Sequence, residues 1–404
     1  MSSRRDQAIK NSEQYLANTY GHQNLVIAEG RGSSLFDADQ REYIDFSSGI
    51  GCLSLGHGHS KIANAAKNQI DRITHASNLY YTEPQAELAK NLCKATGFQK
   101  VFLSNSGAEA NECALKAARA LHYEKTIQKL GEERKYKPGC VMTLEGSFHG
   151  RTMATISMTG QEKYHPEKFA PYLGNVITRR ADFNEIDDAV VYNDVYAIVL
   201  EVIQGEGGVV PMEKDLMQKI QKLCDKEDIL LVVDEVQTGN GRTGKYFAYE
   251  HYDLHPNIVV TAKGLGGGFP IGATLFDERT AGALKPGDHG STFGGNPLSC
   301  AAANVVVESI TAQGFMDSVA QKGELMRAKL EEIPGITDVS GIGLMVGAGL
   351  DEGLSAKEIQ KECLKNGLVI LTAGENRLRF LPALNIADDA IRCGIKSLEK
   401  SMTR

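Results

Sequence analysis

Short apolar runs alternate with amphipathic stretches along the chain up to about residue 295. Two of the amphipathic stretches, residues 108–121 and 216–227, have the periodicity of helices that cover a sheet. The apolar runs have the length and composition of buried strands and occupy residues 100–104, 140–144, 196–201, 229–234 and 258–262. Because parallel strands need long crossover connections, this alternation predicts an α/β fold with a mostly parallel sheet and helices on both faces.

From about Asn296 the pattern changes to helical stretches separated by short strand-like pieces. The helical stretches are residues 297–311, 316–332, 355–366 and 387–401, and the strand-like pieces are residues 343–346, 368–371 and 377–380. We interpret this part as a smaller α/β domain that packs with the beginning of the chain, since 404 residues suffice for two domains. The predicted division is an N-terminal segment (1–60), a large domain (61–295) and a small C-terminal domain (296–404).

Composition and charge narrow the class of protein. Apolar residues make up 42% and charged residues 24% of the chain, as in soluble globular proteins. The net charge of −7 argues against nucleic acid as the main partner. No apolar run reaches the roughly 18 residues of a membrane helix, and the beginning of the chain lacks the apolar segment of a secretory signal. We therefore expect a cytoplasmic protein, with the charged stretch 124–137 forming a solvated helix end and loop.

The cysteines and histidines do not indicate a metal site. The eight cysteines contain no C-x-x-C pair, which favours reduced thiols over disulfides or zinc. His57 and His59 are spaced like a ligand pair, but no acidic or thiol ligand lies near them in the sequence. We expect a turn or capping role for these histidines and no bound metal.

Polar groups follow nearly every predicted strand. Asp234 ends one strand, and Lys263 closes another just before a turn of glycines. Ser106, Gly107 and Ala108 lead from a strand into an alanine-rich helix, whose free N–H groups can bind an anion. Ligands of such sheets bind beyond the carboxyl ends of the strands, so these groups should converge. An amine, a carboxylate and an anion site together are what pyridoxal phosphate requires.

Other side chains near these strand ends suit the same cofactor. A protonated pyridine nitrogen would keep Asp234 ionised in a buried position. Gln237 follows Asp234 closely in the sequence and is a candidate partner for the phenolic oxygen of such a ring. Val236 and Phe148 are candidates for the two ring faces. At this point ordinary roles remain open for Asp234 as a turn cap, for Ser106 as a helix cap and for Phe148 as a core residue.

Two arginines and one glutamate are candidate substrate contacts. Arg151 and Arg379 each carry a planar guanidinium, which binds carboxylates through two parallel hydrogen bonds. Glu206 lies in a glycine-rich turn. The alternatives are a surface-paired Arg379 and a solvent-facing Glu206.

Six motifs, in this order, resemble those of the class III (ornithine-type) aminotransferases, which are pyridoxal-phosphate enzymes of fold type I. They are residues 106–112 (SGAEANE), 148–152 (FHGRT), 204–208 (QGEGG), 234–244 (DEVQTGNGRTG), 262–268 (AKGLGGG) and 290–297 (GSTFGGNP). The resemblance extends from about residue 30 to residue 384 and makes an accidental match improbable. It implies a large domain with a mostly parallel, seven-stranded sheet and a smaller α/β C-terminal domain.

The resemblance also implies how the cofactor is held. Lys263 would carry pyridoxal phosphate covalently and later move a proton. Asp234 would pair with the ring nitrogen and Gln237 with the phenolic oxygen, while Phe148 and Val236 would cover the ring faces.

The same resemblance implies a phosphate site that two subunits share. Ser106, Gly107 and Ala108 would bind the phosphate together with Thr292 of the partner subunit. The enzyme would therefore be a homodimer with shared active sites.

For the substrates, the resemblance implies that Arg151 binds the carboxylate far from the reacting amine. Arg379 would bind the α-carboxylate of 2-oxoglutarate or glutamate, and Glu206 would mask Arg379 while an ω-amino donor reacts. The resemblance also implies that Ser291 binds the substrate.

The implied reaction moves the terminal amino group of N-acetylornithine to 2-oxoglutarate, as in arginine biosynthesis. Succinylornithine, succinyl-diaminopimelate, ornithine and 4-aminobutyrate remain alternative donors. Two departures from the usual pattern of the family occur: Gly51 and Cys52 are unusual residues where the substrate entrance would lie, and Val202 replaces a proline.

A pyridoxal-phosphate decarboxylase or aminomutase would keep the same cofactor residues but would not need two carboxylate-binding arginines. A regulatory protein would be expected to lose Lys263 or Asp234, and a dehydrogenase would need a G-x-G-x-x-G fingerprint that is absent.

Overall fold

The computed structural model describes residues 4–130 and 138–403. In chain order the α-helices α1 to α12 are Arg4–Tyr15, Ser48–Gly51, Ser60–Ile70, Glu83–Thr96, Gly107–Leu130, Met153–Met158, Phe183–Tyr192, Lys214–Glu227, Pro297–Ile310, Phe315–Glu331, Ala356–Lys365 and Asp388–Met402. The strands β1 to β17 are Ile27–Arg31, Ser34–Asp37, Glu42–Asp45, Lys100–Ser104, Cys140–Leu144, Val176–Arg179, Val195–Leu200, Ile203–Gln204, Val210–Pro211, Leu230–Asp234, Ile258–Thr261, Gly272–Phe276, Ile336–Ile342, Met345–Leu350, Leu368–Val369, Leu371–Ala373 and Arg377–Phe380.

A seven-stranded sheet in the order β4-β12-β11-β10-β7-β5-β6 forms the centre of the fold. Strand β12 is antiparallel to both of its neighbours, and the other neighbouring pairs are parallel. Every residue of β7, β10 and β11 is buried, because helices cover both faces of a parallel sheet. The predicted seven-stranded, mostly parallel sheet is confirmed.

Two strands of this sheet, β6 and β12, were not among the five predicted. Strand β12 begins with Gly272 and Ala273 directly after the glycine turn, so its sequence lacks a β-branched start. Strand β6 lies at the sheet edge, where its four residues are only half-buried. Both strands are defined by their neighbours in the sheet and carry little pattern of their own.

Three smaller sheets accompany the central one: two of four strands, in the orders β1-β2-β3-β15 and β13-β14-β17-β16, and the two-stranded sheet β8-β9. The single strand predicted at residues 368–371 is wrong, because the chain splits there into β15 and β16. Strand β15 pairs with β3 from the beginning of the chain, whereas β16 pairs with β17. The strand predicted at 343–346 begins later, at Met345, because Gly343 adopts a positive φ of 57° in a turn.

Four further expectations concern the charged stretch, the histidines, membrane spans and metal sites. Within the charged stretch 124–137, helix α5 continues to Leu130, and residues 131–137 lie outside the described residues. His57 is 2.7 Å from the Asp45 carboxylate, through its Nε2 atom. In the described part of the chain, no helix is long and apolar enough to cross a membrane, and no cluster of three potential metal ligands occurs.

Candidate active site

A cavity of about 490 Å³ lies beyond the carboxyl ends of β4, β7, β10 and β11. Polar groups that follow these strands meet there, as expected for an α/β sheet. Nine of the residues predicted for the site line this cavity: Ser106, Gly107, Ala108, Phe148, Arg151, Asp234, Val236, Gln237 and Lys263. Glu206, Ser291, Thr292 and Arg379 do not line it.

Lys263 lies two residues beyond the end of β11, at the start of a short 3₁₀ turn. Its φ of 41° is rare for a residue with a side chain, which indicates local backbone strain. The amine has no hydrogen-bond or ion-pair partner among the described residues. Burial, together with the charge of Arg379, lowers the pKa of this amine. The neutral, nucleophilic form is therefore more accessible than in an ordinary lysine.

Asp234 is 3% exposed and accepts three hydrogen bonds. Oδ1 accepts from the Val236 N–H at 3.0 Å, so Asp234 does cap the following turn. Oδ2 is 2.8 Å from the Asn111 amide and 2.8 Å from His149 Nδ1. The carboxylate is thus held by three groups while it lines the cavity.

His149 and Asn111 were not predicted as functional residues. Burial alone would lower the pKa of His149, but its hydrogen bond to Asp234 and the charge of that carboxylate raise it. His149 Nε2 and Asn111 Oδ1 are buried without a hydrogen-bond partner in the described residues. His149 lies inside the FHGRT motif and Asn111 inside SGAEANE, so both were within quoted motifs without an assigned role.

The start of helix α5 forms a polar cradle at the edge of the cavity. Ser106 acts as a helix cap, because its hydroxyl accepts from the Glu109 N–H at 3.2 Å. The N–H groups of Gly107 and Ala108 have no acceptor among the described residues. A Cβ atom on Gly107 would lie 2.7 Å from the Val236 side chain, so only glycine fits there. This end of the helix can bind an anion.

Phe148 and Arg151 line the same cavity next to an aromatic residue that was not predicted. The Phe148 ring meets the Tyr164 ring edge-on at 5.3 Å. The Arg151 guanidinium lies over the Tyr164 ring, with a carbon-to-centroid distance of 4.4 Å. Arg151 is otherwise exposed at the cavity and can still bind a carboxylate.

Arg379 and Glu206 form an ion pair near Lys263. Arg379 is 3% exposed, so the alternative of a surface-paired arginine is wrong. Its Nη1 donates to Glu206 Oε1 at 2.6 Å and to Gln237 Oε1 at 3.1 Å, whereas its Nε is buried without a hydrogen-bond partner among the described residues. Burial would raise the pKa of Glu206, but the charge and hydrogen bond of Arg379 lower it. Glu206 is therefore ionised. The Gln237 amide uses its oxygen to accept from Arg379, so its NH₂ group remains free to donate to another partner.

Ser291 and Thr292 lie outside the cavity of their own chain. The Ser291 hydroxyl accepts from Asn105 Nδ2 at 3.0 Å and from the Gly294 N–H at 3.0 Å. Thr292 is exposed, next to the exposed ring of Phe293. Neither side chain therefore lines the cavity of its own chain. Ser291 is linked to the cavity through its hydrogen bond with Asn105, which does line it.

The chain is similar to known aminotransferases along nearly its whole length. A family profile described as aminotransferase class III matches residues 15–402. The acetylornithine aminotransferase of Haemophilus ducreyi is 42% identical over 98% of this chain and 99% of its own length. The succinylornithine transaminase of Yersinia pseudotuberculosis is 39% identical over 96% of this chain and 94% of its own length.

The similarity extends to solved structures. An ornithine aminotransferase from Toxoplasma gondii, whose crystals show partial occupancy of PLP at the active site, is similar with a TM-score of 0.92. It is 29% identical, over 99% of this chain and 94% of that chain. The chain belongs to the class III aminotransferases, enzymes of fold type I that use pyridoxal phosphate.

Proposed function

We propose that this aminotransferase moves the terminal amino group of N-acetylornithine to 2-oxoglutarate. The products are N-acetylglutamate 5-semialdehyde and glutamate. The observation that carries the proposal is the ion pair of Glu206 and Arg379, which lies close enough to Lys263 to affect the pKa of its amine. The 42% identity to an acetylornithine aminotransferase supports the same donor.

The ion pair suits two substrates that differ next to the reacting carbon. Glutamate and 2-oxoglutarate carry a carboxylate beside that carbon, and the terminal amine of N-acetylornithine does not. A buried guanidinium without a partner is costly, so Glu206 neutralises Arg379 when the donor brings no carboxylate there. Arg379 binds the α-carboxylate when 2-oxoglutarate enters, and Arg151 binds the carboxylate at the far end of either substrate.

The residues of the cavity fit the cofactor of the family. When bound, pyridoxal phosphate supplies an electron sink for the carbon that carries the amino group. Asp234 would hold a proton on the ring nitrogen, and the N–H groups of Gly107 and Ala108, which have no acceptor among the described residues, would bind the phosphate.

Further cavity residues orient the ring and move the proton. Phe148 and Val236, which both line the cavity, would cover the two ring faces, and the NH₂ of Gln237, whose oxygen accepts from Arg379, would bind the phenolic oxygen. Lys263 would hold the cofactor through its amine, and the same amine would carry the proton that the reacting carbon loses. Its lowered pKa favours the neutral amine that this general base requires.

The proposal includes a cytoplasmic homodimer with shared sites. Thr292 is exposed in its own chain, and large apolar side chains lie exposed nearby, at Leu79, Tyr80, Tyr81 and Phe293. A second copy that covers this surface would bring Thr292 of the partner subunit to the phosphate, with Ser291 next to the substrate.

We also propose the division into residues 1–60, 61–295 and 296–404, supported by the pairing of β3 with β15.

Succinylornithine is the second candidate donor, because a relative at 39% identity is a succinylornithine transaminase. The two molecules differ in the acyl group, which lies far from the reacting amine. A donor panel with 2-oxoglutarate tests the proposal by comparing kcat/KM for N-acetylornithine, N-succinylornithine, ornithine and 4-aminobutyrate. We expect N-acetylornithine to give the highest value. A higher value for any other donor would replace N-acetylornithine in the proposal.

A further inference from the structure

The Glu201 carboxylate joins two segments of the active site. Glu201 follows strand β7, lines the cavity and is 5% exposed. Its Oε1 accepts a hydrogen bond from the Phe148 N–H at 2.8 Å, and its Oε2 accepts one from the Gly205 N–H at 3.2 Å. Each carboxylate oxygen thus holds a different backbone segment.

The first of these segments belongs to the cofactor side of the site. Phe148 lines the cavity, and the next residue, His149, contacts Asp234 at 2.8 Å. A displacement of the Phe148 backbone would therefore move both the ring that faces the cavity and the histidine that supports Asp234.

The second segment belongs to the Glu206–Arg379 ion pair. Gly205 directly precedes Glu206 and packs against the Gln237 amide, since a Cβ atom on Gly205 would lie 2.4 Å from that amide carbon. Gln237 in turn accepts a hydrogen bond from Arg379. On its far side, the same turn is held by the Gly374 N–H, which donates to the Glu206 carbonyl at 2.9 Å. Glu201 therefore holds the end of the turn that lies next to Gln237.

The chemistry of the two contacts requires a carboxylate. Both partners are N–H donors, so the side chain must offer two acceptor oxygens, and an amide offers only one. Burial, together with the charge of Asp234, raises the pKa of Glu201 to about 7, and the charge of His149 opposes that rise. The two N–H donors act in the same direction as His149, towards the ionised form.

We infer that Glu201 is a positioning residue for the choice of amino donor. By fixing the turn that carries Glu206 relative to Phe148, it keeps Glu206 where it masks Arg379. The inference rests on the proposed function of the Glu206–Arg379 pair. It concerns the geometry of that pair and does not depend on which ω-amino donor is the natural one.

Glu201→Gln tests this role, because its single carbonyl oxygen can serve one N–H donor and must turn its NH₂ towards the other. With the holoenzyme, we expect the ratio of kcat/KM for N-acetylornithine to kcat/KM for glutamate to fall about tenfold, which corresponds to about 1.4 kcal/mol. The visible circular dichroism of the bound cofactor, which reports its orientation next to Phe148, should change as well.

Glu235→Gln is the matched control. Glu235 is equally buried, has a pKa raised to about 7 by burial, and also accepts two hydrogen bonds, from the Thr238 hydroxyl and the Tyr249 N–H. It contacts neither Phe148 nor Gly205. We expect the donor ratio and the circular dichroism of this variant to match those of the wild-type enzyme, even if its thermal stability falls.

Two further variants make the test decisive. In a Glu206→Ala background the substitution Glu201→Gln should change the donor ratio no further, since the group it positions is gone. If Glu201→Gln does not fold, Glu201→Asp keeps two acceptor oxygens on a shorter side chain and should shift the ratio in the same direction.

A merely structural role would lower kcat/KM for N-acetylornithine and for glutamate by the same factor. The inference is overturned if Glu201→Gln, or Glu201→Asp in its place, has that effect. The proposed function can fail separately. If the wild-type enzyme prefers a different ω-amino donor, that donor replaces N-acetylornithine in the ratio, and the expected fall with Glu201→Gln is unchanged.

Discussion

Removing the Glu206 carboxylate should change which amino donor the enzyme prefers. In Glu206→Ala, Arg379 keeps its hydrogen bond to Gln237 at 3.1 Å but loses its only ion-pair partner among the described residues. Breaking a buried ion pair on one side costs about 3–5 kcal/mol. We expect the lower end of this range for the substrate-free enzyme, because the Glu206 side chain is 24% exposed and water can replace it.

The effect on substrates has opposite signs for the two donors. N-acetylornithine leaves Arg379 unpaired in the variant, whereas the α-carboxylate of glutamate pairs with it and no longer competes with Glu206. A hydrogen bond between charged groups contributes about 1.5–3 kcal/mol. At about 1.4 kcal/mol for each factor of ten, the ratio of N-acetylornithine to glutamate reactivity should fall roughly 10-fold to 100-fold.

Single-turnover half-reactions measure this ratio directly. The absorbance of the cofactor is followed after mixing the holoenzyme with N-acetylornithine or, separately, with glutamate. Glu206→Gln is the matched control, because its carbonyl oxygen still accepts a hydrogen bond from Arg379 without supplying a charge. Its ratio should lie between those of the wild-type enzyme and Glu206→Ala. An unchanged ratio in Glu206→Ala would refute the masking of Arg379.

Three further predictions concern the cofactor and the dimer. Lys263→Ala should abolish turnover, and borohydride reduction of the wild-type holoenzyme followed by peptide mapping should label Lys263; a label on another lysine would contradict the assignment. Asp234→Asn preserves shape but removes the charge that His149 and the ring nitrogen share, so kcat should fall by more than about tenfold; the urea midpoint should fall too, because the buried His149 loses its charged partner. A near-normal kcat would leave Asp234 only a structural role, through its contacts with Val236, Asn111 and His149. Mixing inactive Lys263→Ala and Thr292→Glu subunits should restore roughly a quarter of all sites; no regained activity despite verified subunit exchange would exclude a shared phosphate site.

The sequence predicted those parts of the site that depend on where strands end. Asp234 and Lys263 stand at or just beyond the carboxyl ends of neighbouring parallel strands, and such ends meet at one edge of a sheet. The glycine at position 107 was predicted for the same reason, since a helix begins there directly after a strand. Here a local pattern and the rules of sheet topology suffice.

Contacts made across the fold were not predictable in this way. His149, Asn111 and Glu201 each have a hydrogen-bond partner at least 38 positions away in the chain, such as Asp234 for His149 at a separation of 85. Nothing in the periodicity of a segment indicates which distant carboxylate it will meet. Strands β15 and β16 illustrate the same limit, because one apolar run supplies two different sheets.

The fate of the terminal nitrogen atom tests the central claim most directly. N-acetylornithine labelled with ¹⁵N in its terminal amine is incubated with the purified holoenzyme and unlabelled 2-oxoglutarate, and the glutamate formed is analysed by mass spectrometry. We expect glutamate to carry the label in a one-to-one ratio with N-acetylglutamate 5-semialdehyde. Unlabelled glutamate, or no glutamate at all under conditions where another ω-amino donor reacts, would contradict the claim.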